Sequence, residues 1–473
     1  MCGQYLKPLE LSQMSQIIRL SFFMSMSVQG AIAANRFGLG AKPGEIEAAS
    51  VNPRTWLKQQ LQAIEFNDGL ASSSELEIAL AEYQRDRKRA KKMADVKNPS
   101  VQFGKSAQKM SIAVAKRAID SNNSLSWRLL DFFSNHFSVS SSGRAMVALA
   151  PTLEREAIAP NLDQRFEQML LSVVRHPAML MYLNNERSFG PNSLAGKRGR
   201  GLNENLAREI LELHTLGVNA GYGQGDVVEL AKALSGWSVA KPIKEKATGF
   251  VFREQGHEPG TRTLLGKRYK QRAGPLGERQ AEAMLRDLAN HPATAQHLCF
   301  KLARHFVADE PSADLQAKLT DAWLKSQGNI RRVMEALIDA DESWQTPPQK
   351  FKTPREFVIS TARGVALPVF NGKKIWSGLA TLGQQPFKSG SPAGYSDVGS
   401  DWRGASALMT RVEWSASIAN QAKFLASTMS EQAIMRQCLG DTVSERTAQS
   451  VLRAESREQA LTLLLMSPEF LRR

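Results

Sequence analysis

Asn203-Glu-Asn-Leu-Ala-Arg-Glu-Ile-Leu-Glu-Leu-His-Thr-Leu-Gly217 sets the reading of the whole chain. Leu206, Ile210 and Leu213 recur at steps of four and three, the spacing of one face of an α-helix. Along that helix Glu204, Arg208 and Glu212 fall four apart on one face, while Ala207, Ile210 and His214 share another. Asn203 suits the helix start, Glu204 the positive end of the helix dipole, and Gly217 the stop just after His214. Two uses of the polar set stay open. It can be a charge ladder, or a metal site in which Glu204, Glu209 or Glu212 supplies oxygen and His214 nitrogen, completed by ligands from elsewhere.

The same three-and-four pattern runs outward from this stretch, in Leu57, Leu61 and Ile64, in Phe166, Met169, Leu170, Val173 and Val174, and in Val227, Leu230 and Leu234. Such stripes must pack on one another, which predicts an all-α fold, a multi-helical globular bundle. Only residues 249–270 differ, with Phe250, Val251 and Phe252 followed by Thr263, Leu264 and Leu265 between glycines, and read as a small irregular or β-hairpin insertion. The organisation expected is a segment 1–34, a main helical body 35–346 carrying the motif residues, and a C-terminal helical portion 347–473 packed on the same body. The cut falls near Pro347 to Pro354. No period of 20 to 50 residues recurs, which argues against a solenoid of similar repeats.

At 473 residues, 42% hydrophobic and 23% charged, the chain is globular and long enough for a sizeable core. Three cysteines, Cys2, Cys299 and Cys438, are too scattered for a disulfide framework or a zinc knuckle. A formal charge of +15 favours an anionic partner. Arg85, Arg87, Lys88, Arg89, Lys91, Lys92 and Lys97 concentrate that charge in a run that reads as a solvated helix face or linker. No aromatic is interleaved there, so a base-stacking platform, and with it nucleic acid as partner, is disfavoured. Near the start, the apolar stretch Leu20 to Val28 followed by Ala31-Ile-Ala33 reads either as a signal-peptide core with a small-residue cleavage site or as a first amphipathic helix. No run of about 20 apolar residues exists to form a transmembrane helix.

Familiar catalytic signatures are absent: there is no H-E-x-x-H, no G-x-S-x-G and no EF-hand loop. Gly190 to Lys197 has five residues between its glycines, so it is not a phosphate-binding Walker loop. All seven histidines lie between His136 and His305. His176-Pro177 and His291-Pro292 stand at helix starts and read as structural. His136, after an apolar helical run, and His257-Glu258, in a glycine-bounded loop, are candidates for ligands or an acid/base pair. Lys197, Arg198 and Arg200, in a glycine-rich loop before the Asn203 helix, are candidates to hold an anion.

Ordered blocks along the chain carry a resemblance. They include N-R-F-G-L-G-A-K-P-G-E from Asn35, S-N-H-F from Ser134, R-H-P-A-M-L-M-Y-L from Arg175, G-P-N-S from Gly190 and L-N-E-N-L-A-R-E-I-L-E-L-H-T-L-G-V from Leu202. A-L-S-G-W from Ala233, H-E-P-G from His257, H-P-A-T-A from His291, K-T-P-R-E-F-V-I-S from Lys352, L-G-Q-Q-P-F from Leu382 and S-P-A-G-Y from Ser391 continue the set. From about Ala33 to its C-terminus the chain resembles the bacterial domain of unknown function 1800 family. The resemblance implies a largely helical fold and brings no established activity. Members are frequently exported, which implies a periplasmic or extracellular setting. They are often encoded beside a family resembling sulfatases and alkaline phosphatases, which implies a sulfatase-like companion acting on anionic envelope or extracellular material. Where the family pattern has Arg-Pro-His, Asp and Thr, this chain has Ala159-Pro160-Asn161, Asn184 and Gly223.

Two functions follow as expectations. One is a helical binding or assembly protein for an anionic polymer. The other is a metal-assisted hydrolase of an acidic polymer. In the latter, His136, Glu204 and His214 would hold a divalent metal ion, Glu204, Glu209, His257 and Glu258 would carry the chemistry, and Lys197, Arg198, Arg200 and Arg208 would hold substrate.

Overall fold

Helices start in this chain where capping side chains stand. Ser72 with Glu75, and Thr353 with Glu356, close reciprocal capping boxes on the helices Ser73–Ala90 and Pro354–Val365, satisfying amides that the first helical turn leaves unbonded. His176 and His291, each followed by proline, accept through Nδ1 from the backbone N–H of Ala178 and Ala293 at 3.2 Å. Both are helix caps, as their sequence context predicts.

The computed structural model describes residues 28–92, 103–218, 220–271, 274–366, 370–422 and 430–473. The signal-like stretch up to residue 27, Cys2 and Lys97 lie outside them. Among the described residues the fold is all-α apart from two small antiparallel ribbons. Trp237–Val239 pairs with Phe250–Phe252, and Arg262–Leu264 with Lys267–Tyr269. The second ribbon turns through Leu265 and Gly266, both with positive φ, the geometry of a tight two-residue hairpin. The β insertion thus begins at Trp237, ahead of the glycine-bounded segment that announces it in the sequence.

Apolar helix stripes converge on a large core between Ile32 and Ile359. Phe133, Phe137 and Phe166 stack within it, and Trp323 tilts onto Phe166 at 5.3 Å between ring centres. A second apolar cluster gathers Phe357, Ile375, Ile434, Leu464 and Phe470 around Ala115. The helix Phe103–Asp120 borders both clusters, with Val114 in the first and Ala115 in the second. Cys299 and Cys438 are buried free thiols. Among the described residues no helix is long and apolar enough to cross a membrane.

Between the clusters lies a buried charge hub. Glu356 Oε2 accepts from the Thr353 amide in its capping box, and Oε1 accepts from Arg128 and Arg473 at 2.9 and 2.7 Å. Arg128 and Arg473 are each 1% exposed. Such a carboxylate is needed because two cations withdrawn from water require a counter-charge.

Among the described residues three helical segments widen into a single π-turn: Ala33–Phe37, Glu154–Ile158 and Ile210–His214. Turns of this kind gather at functional sites. Two of these three carry residues discussed below, Glu154 and His214.

Candidate functional site

The Asn203 stretch folds as its spacing requires. Asn203 Oδ1 accepts from the Asn205 amide, the helix Asn205–Glu209 passes into the π-turn, and Gly217 ends it at φ 90°. Arg208 bridges Glu204 at 3.4 Å and Glu212 at 3.3 Å, forming the ladder. Gln224 joins by donating to Glu204 and accepting from Arg208. Arg208 is therefore engaged within its own helix network. Glu209 is half-buried, and burial, aided by Glu212, raises its pKa.

His214 faces the opposite way and is 1% exposed. Its ring stands 5.9 Å from that of His136, so the structure brings together two of the three expected metal ligands. The third is elsewhere: Glu204 sits on the ladder face with Arg208 and Gln224. His136 is also occupied at both nitrogens. Nδ1 accepts from Lys301 Nζ at 3.1 Å, which leaves Nε2–H to donate to the His214 carbonyl at 3.2 Å. Among the described residues no group of three or more His, Cys, Asp or Glu side chains is placed to hold a metal ion. The expected His136–Glu204–His214 donor set is thus not assembled, because one helix cannot present its ladder face and its core face to the same point.

What assembles instead is a nest of imidazoles, His136 and His214 buried and His297 half-buried. Burial, with the nearby Lys301 charge, lowers the His136, His214 and His297 pKa values, His214 to about 3 and His297 to about 4. All three are neutral at physiological pH. Gly217 makes room for His297, since a Cβ there would stand 2.5 Å from its Nδ1.

His257 and Glu258, expected as ligands or as an acid/base pair, are each hydrogen-bonded to other residues. His257 Nδ1 pairs with the Ser235 carbonyl, and its ring packs on Phe252. Glu258, 2% exposed, accepts from the backbone and side-chain N–H groups of Asn192. Further backbone bonds, Gly190 to Gly256 and Ala195 to Gln255, dock the whole 189–201 loop on the insertion. The loop also closes on itself between Phe189 and Gly201. Glu258 therefore positions the loop that carries Lys197, Arg198 and Arg200.

Docking that loop creates one wall of a cleft of about 1300 Å³. Arg198 and Arg200 stand in it; Lys197 is exposed beside it and does not line it. Arg85 and Lys88 enter from the end of the Ser73–Ala90 helix, and Arg187, Lys241, Lys244 and Arg253 complete eight basic side chains against three carboxylates, Glu77, Glu186 and Glu254. Arg85, Arg187 and Arg253 pair with Asp86, Glu186 and Glu245, so the remaining cations dominate the cleft's field. Part of the basic run is thus a cleft wall, a role that its composition alone did not announce. Arg200 lies over the Phe189 ring at 4.7 Å, which fixes its direction.

A second, smaller cavity of about 100 Å³ was not foreseen from the sequence. Four of the blocks that carry the family resemblance meet at it: Ser134 and Asn135, Arg355, Gln384 with Phe387, and Tyr395. Asp131 and Glu154 complete its polar floor. Burial raises both carboxyls, Glu154 to about 7, while Arg355 opposes the shift.

The positions expected to depart from the family pattern are each accommodated locally. Ala159 is buried and its carbonyl accepts from Ile64. Asn161 donates to the Ala157 carbonyl, Asn184 adopts a left-handed conformation that asparagine tolerates, and the Gly223 amide is capped by Asp226.

Fold and site together define an all-helical protein with a cationic cleft built between a helix end, a docked loop and a β insertion. The chain belongs to the DUF1800 family of proteins of unknown function, whose sequence profile matches residues 32–472. No curated protein and no solved structure matches it.

Proposed function

We propose that this protein is a binding protein for an acidic glycan, which it holds in the cationic cleft. The observation that carries the reading is the excess of eight basic over three acidic side chains around a volume of about 1300 Å³. That volume exceeds the roughly 300–1,000 Å³ of small-molecule pockets, so an extended ligand suits it. Among the described residues only two aromatic rings line the cleft, Phe189 and Phe252, and each is already in contact with a side chain, Arg200 and His257. So sparse an aromatic lining makes a poor stacking platform, which favours a glycan over single-stranded nucleic acid. The Glu258–Asn192 anchor supports the reading further, because pre-ordered cations lose less entropy on binding.

The test is fluorescence anisotropy of labelled dextran sulfate and neutral dextran across a salt series, on the wild type and on R198E/R200E. Dextran sulfate should bind more weakly as salt rises, the double variant should lose at least about tenfold in affinity, equivalent to 1.4 kcal/mol, and neutral dextran should not bind. Equal binding of the two dextrans, or tighter binding of a single-stranded oligonucleotide than of dextran sulfate, would overturn the proposal.

A further inference from the structure

The small cavity carries a charge imbalance of its own. Its floor holds two carboxyls and one guanidinium, and Arg355 directs both Nε and Nη2 to the same oxygen, Asp131 Oδ1, at 2.8 and 2.7 Å. Asp131 Oδ2 is buried and accepts from nothing. Glu154, 8% exposed, enters no ion pair among the described residues. The nearest other charges are committed: Arg155 to Asp68, and Arg128 to Glu356. With both carboxyls ionised, the floor therefore lacks one positive charge. The walls are Val114, Val139, Leu153, Ile158 and Phe387. About 100 Å³ is several times the roughly 10–15 Å³ that one water needs by this measure, enough for a short hydrocarbon body.

From this geometry we infer that the cavity binds a small primary alkylammonium, its N–H groups donating to Asp131 Oδ2 and the Glu154 carboxylate and its alkyl part lying against the apolar walls. The ammonium supplies the missing charge, and its N–H groups match Asp131 Oδ2, which accepts from nothing, and the Glu154 carboxylate beside the Ser134 hydroxyl. Without it Glu154 keeps a proton, which is how a buried carboxyl with no ion-pair partner relieves its desolvation. The charged groups facing Glu154 are Arg355 and Asp131 from neighbouring helices and Arg155 from its own segment. The site is independent of the cleft: its polarity is opposite, and it stands or falls without the glycan.

The experiment is a ligand-observed NMR titration of the full chain with ethylammonium, in sodium buffer at pH 8 and pH 6, with ethanol, tetramethylammonium and potassium as comparators. With three non-hydrogen atoms, ethylammonium can reach at best about millimolar affinity. Saturable binding is expected at pH 8, falling about tenfold at pH 6 as Glu154 takes up its proton, and at least about tenfold in E154Q. Ethanol lacks the charge and tetramethylammonium lacks the donors, so neither should compete. Absence of saturable binding, a pH-independent affinity, equal competition by ethanol, or displacement by potassium at equal concentration would each overturn the assignment. Should E154Q fail to fold, the wild-type pH comparison and the comparators still decide.

Discussion

Replacing Glu356 with glutamine strips the counter-charge from Arg128 and Arg473 while keeping the side chain's size. Each guanidinium is within 3 Å of Glu356 Oε1, at 2.9 and 2.7 Å, and neither can reach water to recover what it loses. Removing one partner of a buried pair costs about 3–5 kcal/mol, and here two cations are stranded at once, so the upper part of that range applies. For a chain of 473 residues unfolding as one unit, the entropy at the midpoint is about 1 kcal/mol/K, so the melting temperature should fall by about 4–5 °C. Scanning calorimetry at pH 7 reads this directly. Asp321→Ala is the control: its ion pair with Lys325 has side chains 58% and 76% exposed, so its loss should move the midpoint by less than about 1 °C. Burial opposes ionisation of Glu356, but Arg473 and Arg128 outweigh it and hold the carboxyl well below its usual 4.5. A depressed folded pKa contributes stability above the unfolded value that is lost as pH falls toward the folded one. The gap between wild type and E356Q should therefore narrow progressively below pH 4.5. A drop no larger than the control's, or a gap that widens in acid, would refute the account of this hub.

The imidazole nest should make the fold acid-sensitive. With His214 and His297 lowered to about 3 and about 4, the unfolded chain takes up protons below pH 6.5 that the folded one refuses, so stability falls with pH across that window. His214→Asn should reduce that proton uptake by about one, read from the slope of unfolding free energy against pH; an unchanged slope counts against a buried neutral His214. Gly217→Ala forces a Cβ into His297 at a left-handed backbone position and should cost about 1–3 kcal/mol in chemical denaturation, whereas a neutral effect would mean the turn relaxes freely. Glu258→Ala leaves the Asn192 donors unpaired, so protease should cut within 189–201 sooner and dextran sulfate should bind more weakly, with about 1–3 kcal/mol of stability lost. Unaltered cleavage would show that Glu258 does not anchor the loop.

Local pattern made much of the fold legible, since each helix carries its own stripe and caps. His176 and His291 cap helices because capping is decided within three or four residues, Asn203 accepts from the Asn205 amide in a turn just as local, and the Glu204–Arg208–Glu212 ladder needs only helical spacing. Arg198 and Arg200 also surfaced, as cations among glycines. What stayed hidden depends on distant segments meeting. Asp131 and Arg355 are 224 positions apart, and neither has a neighbour in sequence that announces the other. The basic run looked like a solvated face because the wall opposite it, built from the 189–201 loop and the insertion, comes from a hundred residues further on. His136 does meet His214, but the helix that delivers the imidazole turns its carboxylates away.

The widened turn at Glu154–Ile158 has one more consequence. It holds an additional residue relative to an ordinary helical repeat, and each residue advances the azimuth by about 100°. Excising a single position there would leave a sequence that still scores as helix and still buries a stripe. Yet everything beyond the excision would be rotated relative to what precedes it, and Ile158, at the far end of the turn, would leave its place in the cavity wall beside Glu154 and Asp131. Shortening by one is therefore a harsher lesion at this point than many substitutions, and length, as much as side-chain identity, is what this part of the chain has to preserve.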